Sequence, residues 1–290
     1  MKKLLITGAA GQLGKALAKE ISFREDFRLY LSAKSSPETE DEEMIFLDVA
    51  NWENCQAVLM KINPDIIINC AAFTAVDVAE ANREEAYAVN VLGVENLAKL
   101  AREISAKLVH ISTDYIFDGE KDEPYAEDDI PNPLNYYAQT KAESEKIVLE
   151  YSPGNIIFRT AWMYGEGKNF VNTILKLTQT KREIKVVSDQ WGNLTSAEAA
   201  AKAIVFLINR NAQGIFHGCC KGVANWYEIA KKVLELAEMN DVKVIPITSE
   251  EYNAPAKRPR YSAMANKHLE EMGYVMPQWD EELERWLKKK

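Results

Sequence analysis

Three glycines near the start narrow the folds open to this chain. Leu4-Leu5-Ile6 is a short apolar run, and Gly8-Ala9-Ala10-Gly11-Gln12-Leu13-Gly14 follows it directly. A helical pattern then runs from Leu13 to Ile21. A short apolar run bounded by turn residues reads as a buried strand. Glycine lets the backbone turn tightly, and it lets a diphosphate approach main-chain N–H groups at a helix N-terminus. Strand, glycine turn and helix in that order open a dinucleotide-binding βαβ unit. The first gap holds two residues rather than one, which departs from the dehydrogenase fingerprint G-x-G-x-x-G.

The rest of the first half keeps the same rhythm. Apolar runs at Leu29–Leu31, Met44–Leu47, Ile66–Ile68, Leu108–Ser112 and Ile156–Phe158 read as strands. Ala86–Ile104 and Asn135–Tyr151 read as helices. Near-continuous apolar strands separated by helices mean a parallel sheet covered on both faces. The fold class is α/β, a Rossmann-like doubly wound parallel sheet with a smaller mixed α/β substrate-binding lobe. After residue 160 the rhythm loosens. Helices are expected at Phe170–Thr178, Ser196–Asn209 and Asn225–Glu238, strands at Ile184–Val187 and Val242–Ile247, and a Pro- and Arg-rich loop at Asn253–Ala263. The expected division is residues 1–160 for an NAD(P)-binding Rossmann domain. Residues 161–290 are expected to form mainly a substrate domain, partly interleaved with the first. The acidic run Glu38–Glu43 reads as a solvated loop.

Composition removes several function classes. The formal charge is -9, which is unsuited to a protein whose main partner is nucleic acid. No stretch reaches the roughly 20 apolar residues of a membrane span, and the N-terminal run is too short for a signal peptide. Cys55, Cys70, Cys219 and Cys220 are too few and too scattered for a disulfide framework, and they read as thiols in a reducing cytoplasm. His110, His217 and His268 show no metal-ligand spacing, so no metal site is expected.

The second strand ends Ser32-Ala33-Lys34-Ser35, with no acid to hold an adenosine ribose. Lys34, with Ser32 and Ser35, suits a 2′-phosphate, so NADPH is favoured while NADH stays open. Asp48 is placed to meet the adenine edge. Cys70-Ala71-Ala72-Phe73-Thr74 supplies small residues where the cofactor crosses the strand ends. Tyr137 and Lys141 form Y-x-x-x-K, a spacing that puts both on one helix face. A lysine cation there is expected to lower the phenol's pKa and suit it to general-acid work. Thr113 ends the fifth strand, at the crevice where this architecture binds ligands, and it can donate to the same carbonyl oxygen.

The motifs together resemble the dTDP-4-dehydrorhamnose reductase family of the extended short-chain dehydrogenase/reductase superfamily. The resemblance runs almost end to end. It rests above all on Ile111–Gly119, Tyr137–Lys141, Arg159–Gly165, Lys168–Val171, Asp189-Gln190 with Gly192, and Arg258-Pro259 with Ser262. It implies Thr113, Tyr137 and Lys141 as the catalytic triad, with Tyr137 and Lys141 also on the cofactor. It places the glycine loop (Gly8, Gly11, Gln12, Leu13, Gly14) on the diphosphate. Lys34, Asp48, Val49, Ala71, Ala72 and Thr74 complete the cofactor groove. Asn90, Thr113, Asp114, Trp162 and Arg258 are the expected substrate contacts, Trp162 as a flat wall for a deoxysugar and Arg258 as a fork for the diphosphate.

The implied reaction is NAD(P)H-dependent reduction of the C4 keto group of dTDP-4-dehydro-6-deoxy-L-mannose to dTDP-L-rhamnose. A reductase or epimerase for another 4-keto-deoxysugar nucleotide, and a non-catalytic NADP-binding regulatory subunit, remain alternatives. Asp114 is followed by Tyr115 rather than Glu, which argues against a dehydratase. A homodimer and a Mg2+ ion stay open on the resemblance, although no carboxylate cluster calls for the metal. Ala138, Ser144, Ala161 and Leu194 replace residues usual in the family, and none removes a catalytic group.

Overall fold

The computed structural model describes residues 1–34 and 44–290, so the expected roles of Ser35 and of the acidic run 38–43 lie outside the described residues. The strands in chain order are β1 (Lys2–Thr7), β2 (Phe27–Ala33), β3 (Ile45–Phe46), β4 (Ile66–Asn69), β5 (Lys107–Thr113), β6 (Ile156–Thr160), β7 (Met163–Tyr164), β8 (Glu183–Val187), β9 (Trp191–Gly192), β10 (Thr195–Ser196), β11 (Gly214–His217), β12 (Ala224–Asn225) and β13 (Lys243–Ile247). The α-helices are α1 (Gln12–Ser22), α2 (Trp52–Ile62), α3 (Val76–Ala81), α4 (Arg83–Tyr87), α5 (Gly93–Glu103), α6 (Tyr136–Tyr151), α7 (Phe170–Thr178), α8 (Ala197–Asn209), α9 (Trp226–Leu236), α10 (Ser249–Tyr252), α11 (Lys267–Glu271) and α12 (Trp279–Lys288).

Seven parallel strands form the central sheet in the order β11-β6-β5-β4-β1-β2-β3. Side chains alternate across it. Leu4, Ile6, Ile66 and Ile68 join the core under α1 and α8, whereas Leu5 and Ile67 join the opposite core under α2 and α5. Both faces are dry, which is why these strands lack a polar alternation. From β1 the chain builds outward through β2 and β3, then crosses to β4 on the other side. That reversal opens a crevice at the C-terminal ends of β1 and β4.

Past residue 160 the chain leaves the sheet and returns to it. α8 packs on α1, and β11 adds the seventh strand beside β6. A smaller core gathers β8, paired in parallel with β13, under α7, α9 and α12. Ser196 and Asn225 cap α8 and α9 through their side chains, ending the preceding strands where the helical pattern begins. The long helix expected at Ala86–Ile104 is instead α4 and α5 joined through a π-helical turn at Ala88–Leu92.

Candidate active site

A cavity of about 820 Å³ occupies the crevice. The glycine loop forms one wall. Gly8 has φ +64, and a Cβ on it would stand 2.6 Å from Ala71 N. A Cβ on Gly14 would stand 2.5 Å from Gly8 O. Only glycine lets the loop close this tightly onto the β4 end and α1. The N-cap of α1 is Gly11, with no side-chain cap and no acid in the first turn. Asn51, Asn135, Asn169, Ser196 and Asn225 cap α2, α6, α7, α8 and α9 by contrast. Gln12, Leu13 and Gly14, at the start of α1, line the cavity, and among the described residues their N–H groups have no protein partner, an arrangement suited to an anion.

Gln12, Leu13, Val49, Ala71, Ala72 and Thr74 line the same cavity, as do Lys34 and Asp48. These last two, given separate tasks on sequence grounds, are paired: Lys34 Nζ lies 2.9 Å from Asp48 Oδ2. Gln12 also reaches the second lobe, its Oε1 accepting from Asn169 Nδ2 at 3.0 Å.

Thr113, Asp114, Tyr137 and Lys141 meet across β5 and α6. Thr113 Oγ1 donates to Asp114 Oδ1 (3.0 Å) and accepts from the Tyr115 N–H (3.2 Å), and Tyr137 lines the same part of the cavity. Thr113 thus caps the short turn after β5 and faces the cavity at once. Asp114 is buried, and Ser262 Oγ donates to its Oδ2 at 2.5 Å. Burial raises the Asp114 carboxyl to about 7, against the pull of those hydroxyl donors. Lys141 is buried too, and burial lowers its ammonium to about 8, opposed by Glu145 and Cys70.

The expected lowering of the Tyr137 phenol by Lys141 is not found. Burial raises it, Thr113 opposes, and the Asp114 charge raises it further. Lys141 Nζ turns to β5 instead, donating to Ile111 O (2.7 Å) and lying 3.1 Å from His110 Nε2. The spacing of four aligned the two residues on the helix but left the lysine's hydrogen-bond partners undetermined.

Trp162 forms another wall. Its φ is +42, a left-handed value that costs a non-glycine residue on the order of 1 kcal/mol. Its ring is held between Gly192, where a Cβ would stand 2.7 Å away, and Trp226, stacked at 3.7 Å between centroids. Trp226 also lines the cavity, as does Tyr115. Neither was singled out from sequence. Tyr115 lay within the Ile111–Gly119 motif and was open to notice. Trp226 opens a helix far along the chain, and only its stack on Trp162 reveals it.

Two expected substrate contacts lie elsewhere. Asn90 is buried in the π-helical turn, where its Oδ1 accepts from Phe73 N (2.8 Å) and its Nδ2 donates to Phe73 O (3.1 Å) and Thr140 Oγ1 (3.0 Å). That amide shapes the wall from behind, fully buried and with both of its N–H groups already donated. Arg258 spends its fork on Asp77, at 2.9 and 2.8 Å, and also contacts the Tyr115 hydroxyl. It ties the 253–263 loop to α3 rather than lying on the cavity. Among the described residues no group of three or more His, Cys, Asp or Glu is placed to hold a metal.

The family model described as RmlD substrate binding domain matches residues 1–290. The dTDP-4-dehydrorhamnose reductase of Escherichia coli is 38% identical over 83% of this chain and 84% of that protein. The dTDP-4-keto-6-deoxy-D-glucose reductase of Streptomyces niveus is 36% identical over 93% and 90%. The crystal structure of dTDP-4-dehydrorhamnose reductase from Bacillus anthracis in complex with NADP superposes with a TM-score of 0.92, at 38% identity, covering 100% of this chain and 99% of that one.

Proposed function

The chain belongs to the RmlD substrate binding domain family, and from that premise we propose that it reduces the C4 keto group of dTDP-4-dehydrorhamnose with NADPH, giving dTDP-L-rhamnose. The observation that carries this reading is the meeting of Thr113, Tyr137 and Lys141 on one cavity whose far wall is the glycine loop.

The cavity fits a nicotinamide dinucleotide. A Cβ at Gly8 or Gly14 would close the loop, and the uncapped start of α1 presents N–H donors to a diphosphate. Lys34 and Asp48 stand at the adenosine end, the lysine supporting a 2′-phosphate. The cofactor, when bound, supplies the hydride. The protein orients the ketone and manages the proton. The raised phenol of Tyr137 keeps its proton at neutral pH, so this residue enters the reaction as a donor to the carbonyl oxygen. Thr113 lies beside Tyr137 on the cavity wall, its own hydroxyl fixed by Asp114. Lys141 lies one turn further along α6 as a buried group on the cavity wall, its Nζ held on Ile111 O and beside His110. Trp162, backed by Trp226, offers a flat apolar face to a deoxysugar ring.

The Streptomyces relative's name supports a second reading, in which the substrate is another dTDP-4-keto-6-deoxysugar. Leu194, at the position where the family usually has proline, packs into the smaller core beside this wall. All four cysteines are free, which supports a reducing cytoplasm. Among the described residues no helix is long and apolar enough to cross a membrane.

Loss of NADPH absorbance on adding dTDP-4-dehydrorhamnose tests the reading, with NADH and dTDP-4-keto-6-deoxy-D-glucose in parallel. Tyr137→Phe is expected to bind NADPH normally and to lose about 10²–10⁴-fold in rate. Tight NADPH binding by the wild type with no turnover of either sugar would overturn it in favour of a binding module.

A further inference from the structure

Three neighbouring strands each carry a buried polar side chain at the same level. Thr7 of β1 is in register with Asn69 of β4, and Asn69 with His110 of β5. All three are buried beneath the cavity, and none was assigned a task above. Thr7 Oγ1 donates to Asn69 Oδ1 (2.6 Å), and Asn69 Nδ2 meets His110 Nδ1 (3.1 Å). His110 Nε2 lies 3.0 Å from Ser144 Oγ and 3.1 Å from Lys141 Nζ.

The direction of this row can be worked out from one fixed donor. The Ala71 backbone N–H is shared between Asn69 Oδ1 (3.2 Å) and Thr7 Oγ1 (3.4 Å), so both atoms accept from it and the nearer one is the amide oxygen. The amide NH2 must then face His110, and Nδ1 of the ring can only accept. A neutral imidazole with a bare Nδ1 carries its hydrogen on Nε2. Ser144 Oγ spends its own hydrogen on Lys141 O (2.8 Å) and so accepts from that Nε2–H. Lys141 Nζ is thereby set against a ring nitrogen that bears a proton. An ammonium there finds a donor where it needs an acceptor, leaving Ile111 O as its protein partner (2.7 Å). An uncharged amine can instead accept from Nε2–H.

We propose that His110, locked by Thr7 and Asn69 as the Nε2-protonated neutral imidazole, is a positioning residue that holds Lys141 against β5 and sets how readily it yields its proton. His110 does not itself act as acid or base, because both ring nitrogens are engaged in the neutral form. Burial and the Lys141 charge hold its own pKa far below the usual range. Other groups bear on Lys141 as well. Cys70 follows β4, Tyr137 and Glu145 share α6, Asp114 follows β5, and Arg159 of β6 holds Glu145 at 2.8 Å. Glu145 and Cys70 favour the ammonium and burial opposes them; the Nε2–H set 3.1 Å from Nζ acts in the same direction as burial. The balance leaves a lysine able to exchange its proton near neutrality, while still cationic in most molecules at pH 7.

The consequence for catalysis rests on the reductase reading, but the place of the His110 proton does not, since it is read without turnover. Long-range 15N NMR of the whole protein resolves its three histidines, with His110 assigned by loss of its signals in His110→Gln. The expected result is a protonated Nε2 and a bare Nδ1, unchanged between about pH 6 and pH 9. A protonated Nδ1, or an imidazolium in that range, overturns the proposal. Asn69→Asp reverses the row without changing its shape: the carboxylate takes an Nδ1–H, and the bare Nε2 accepts from the Lys141 ammonium. The expected outcome is a flipped tautomer and a Lys141 proton affinity raised about tenfold or more, followed by 13C NMR of its Cε. A flipped tautomer with Lys141 titrating as before also overturns it. If the variant fails to fold, the wild-type tautomer remains decisive.

Discussion

Replacing Asp114 with Asn should stabilise the protein, and by an amount that depends on pH in a calculable way. The carboxyl is 2% exposed, and burial raises it to about 7 from an ordinary 3.8. Between those values the folded state holds a proton that the unfolded state has released. Stability therefore falls as pH rises through that window, and the loss is complete above about pH 7. At about 1.4 kcal/mol per pH unit the full loss is about 4 kcal/mol. The replacing amide is isosteric with the protonated carboxyl but never ionises. Below pH 4 the variant and the wild type should thus be equally stable.

For 290 residues the unfolding entropy is about 0.6 kcal/mol/K, so about 4 kcal/mol corresponds to about 6–7 °C in Tm. Differential scanning calorimetry of both proteins from pH 5 to pH 8.5 checks this. The offset should be about 2–3 °C at pH 5 and reach its full size by pH 8. An offset independent of pH, or a wild type more stable at pH 8.5, would refute the attribution to a buried ionised carboxylate. Activity gives a second reading of the same residue. Thr113 and Ser262 both donate to Asp114, and one hydroxyl must turn round to meet the new NH2. Misdirection of Thr113 should therefore lower kcat.

Other expectations follow from single contacts. Gly8→Ala forces a side chain at φ +64 against the Cys70–Ala71 backbone, and should abolish NADPH binding measured by fluorescence titration. Arg159→Met leaves the buried Glu145 carboxylate without its guanidinium and should cost about 3–5 kcal/mol by urea unfolding, with Arg159→Met/Glu145→Gln recovering part of it. Lys34→Ala should weaken NADPH more than NADH in competitive binding, because on the proposed reading it removes the cation from the cavity wall that meets the 2′-phosphate. Asp77→Ala should release Arg258 and the loop it holds, raising KM for the sugar nucleotide more than it lowers kcat.

The parts legible in sequence were those decided within a few residues. Leu4–Ile6 and the spacing of Gly8, Gly11 and Gly14 read as strand, turn and helix because glycine and a short apolar run act locally. Tyr137 and Lys141 could be placed on one face because α6 has a regular period. Local reading failed where a side chain had to choose among distant partners. β11 carries only Ile215 and Phe216 as signal, and became a strand because β6 offered an open edge.

The chain alone carried the α/β architecture, the glycine turn, the acid–base residue types and the motifs that place it in its family, since each depends on period and chain stereochemistry. Tertiary structure decided which of those groups are free to act. Arg258 was claimed by Asp77, 181 residues away, and Asn90 by Phe73 and Thr140. Lys141 was turned toward His110, and Trp162 was stacked on Trp226. A buried polar group must find a partner, and which partner it finds depends on every element that reaches the same spot.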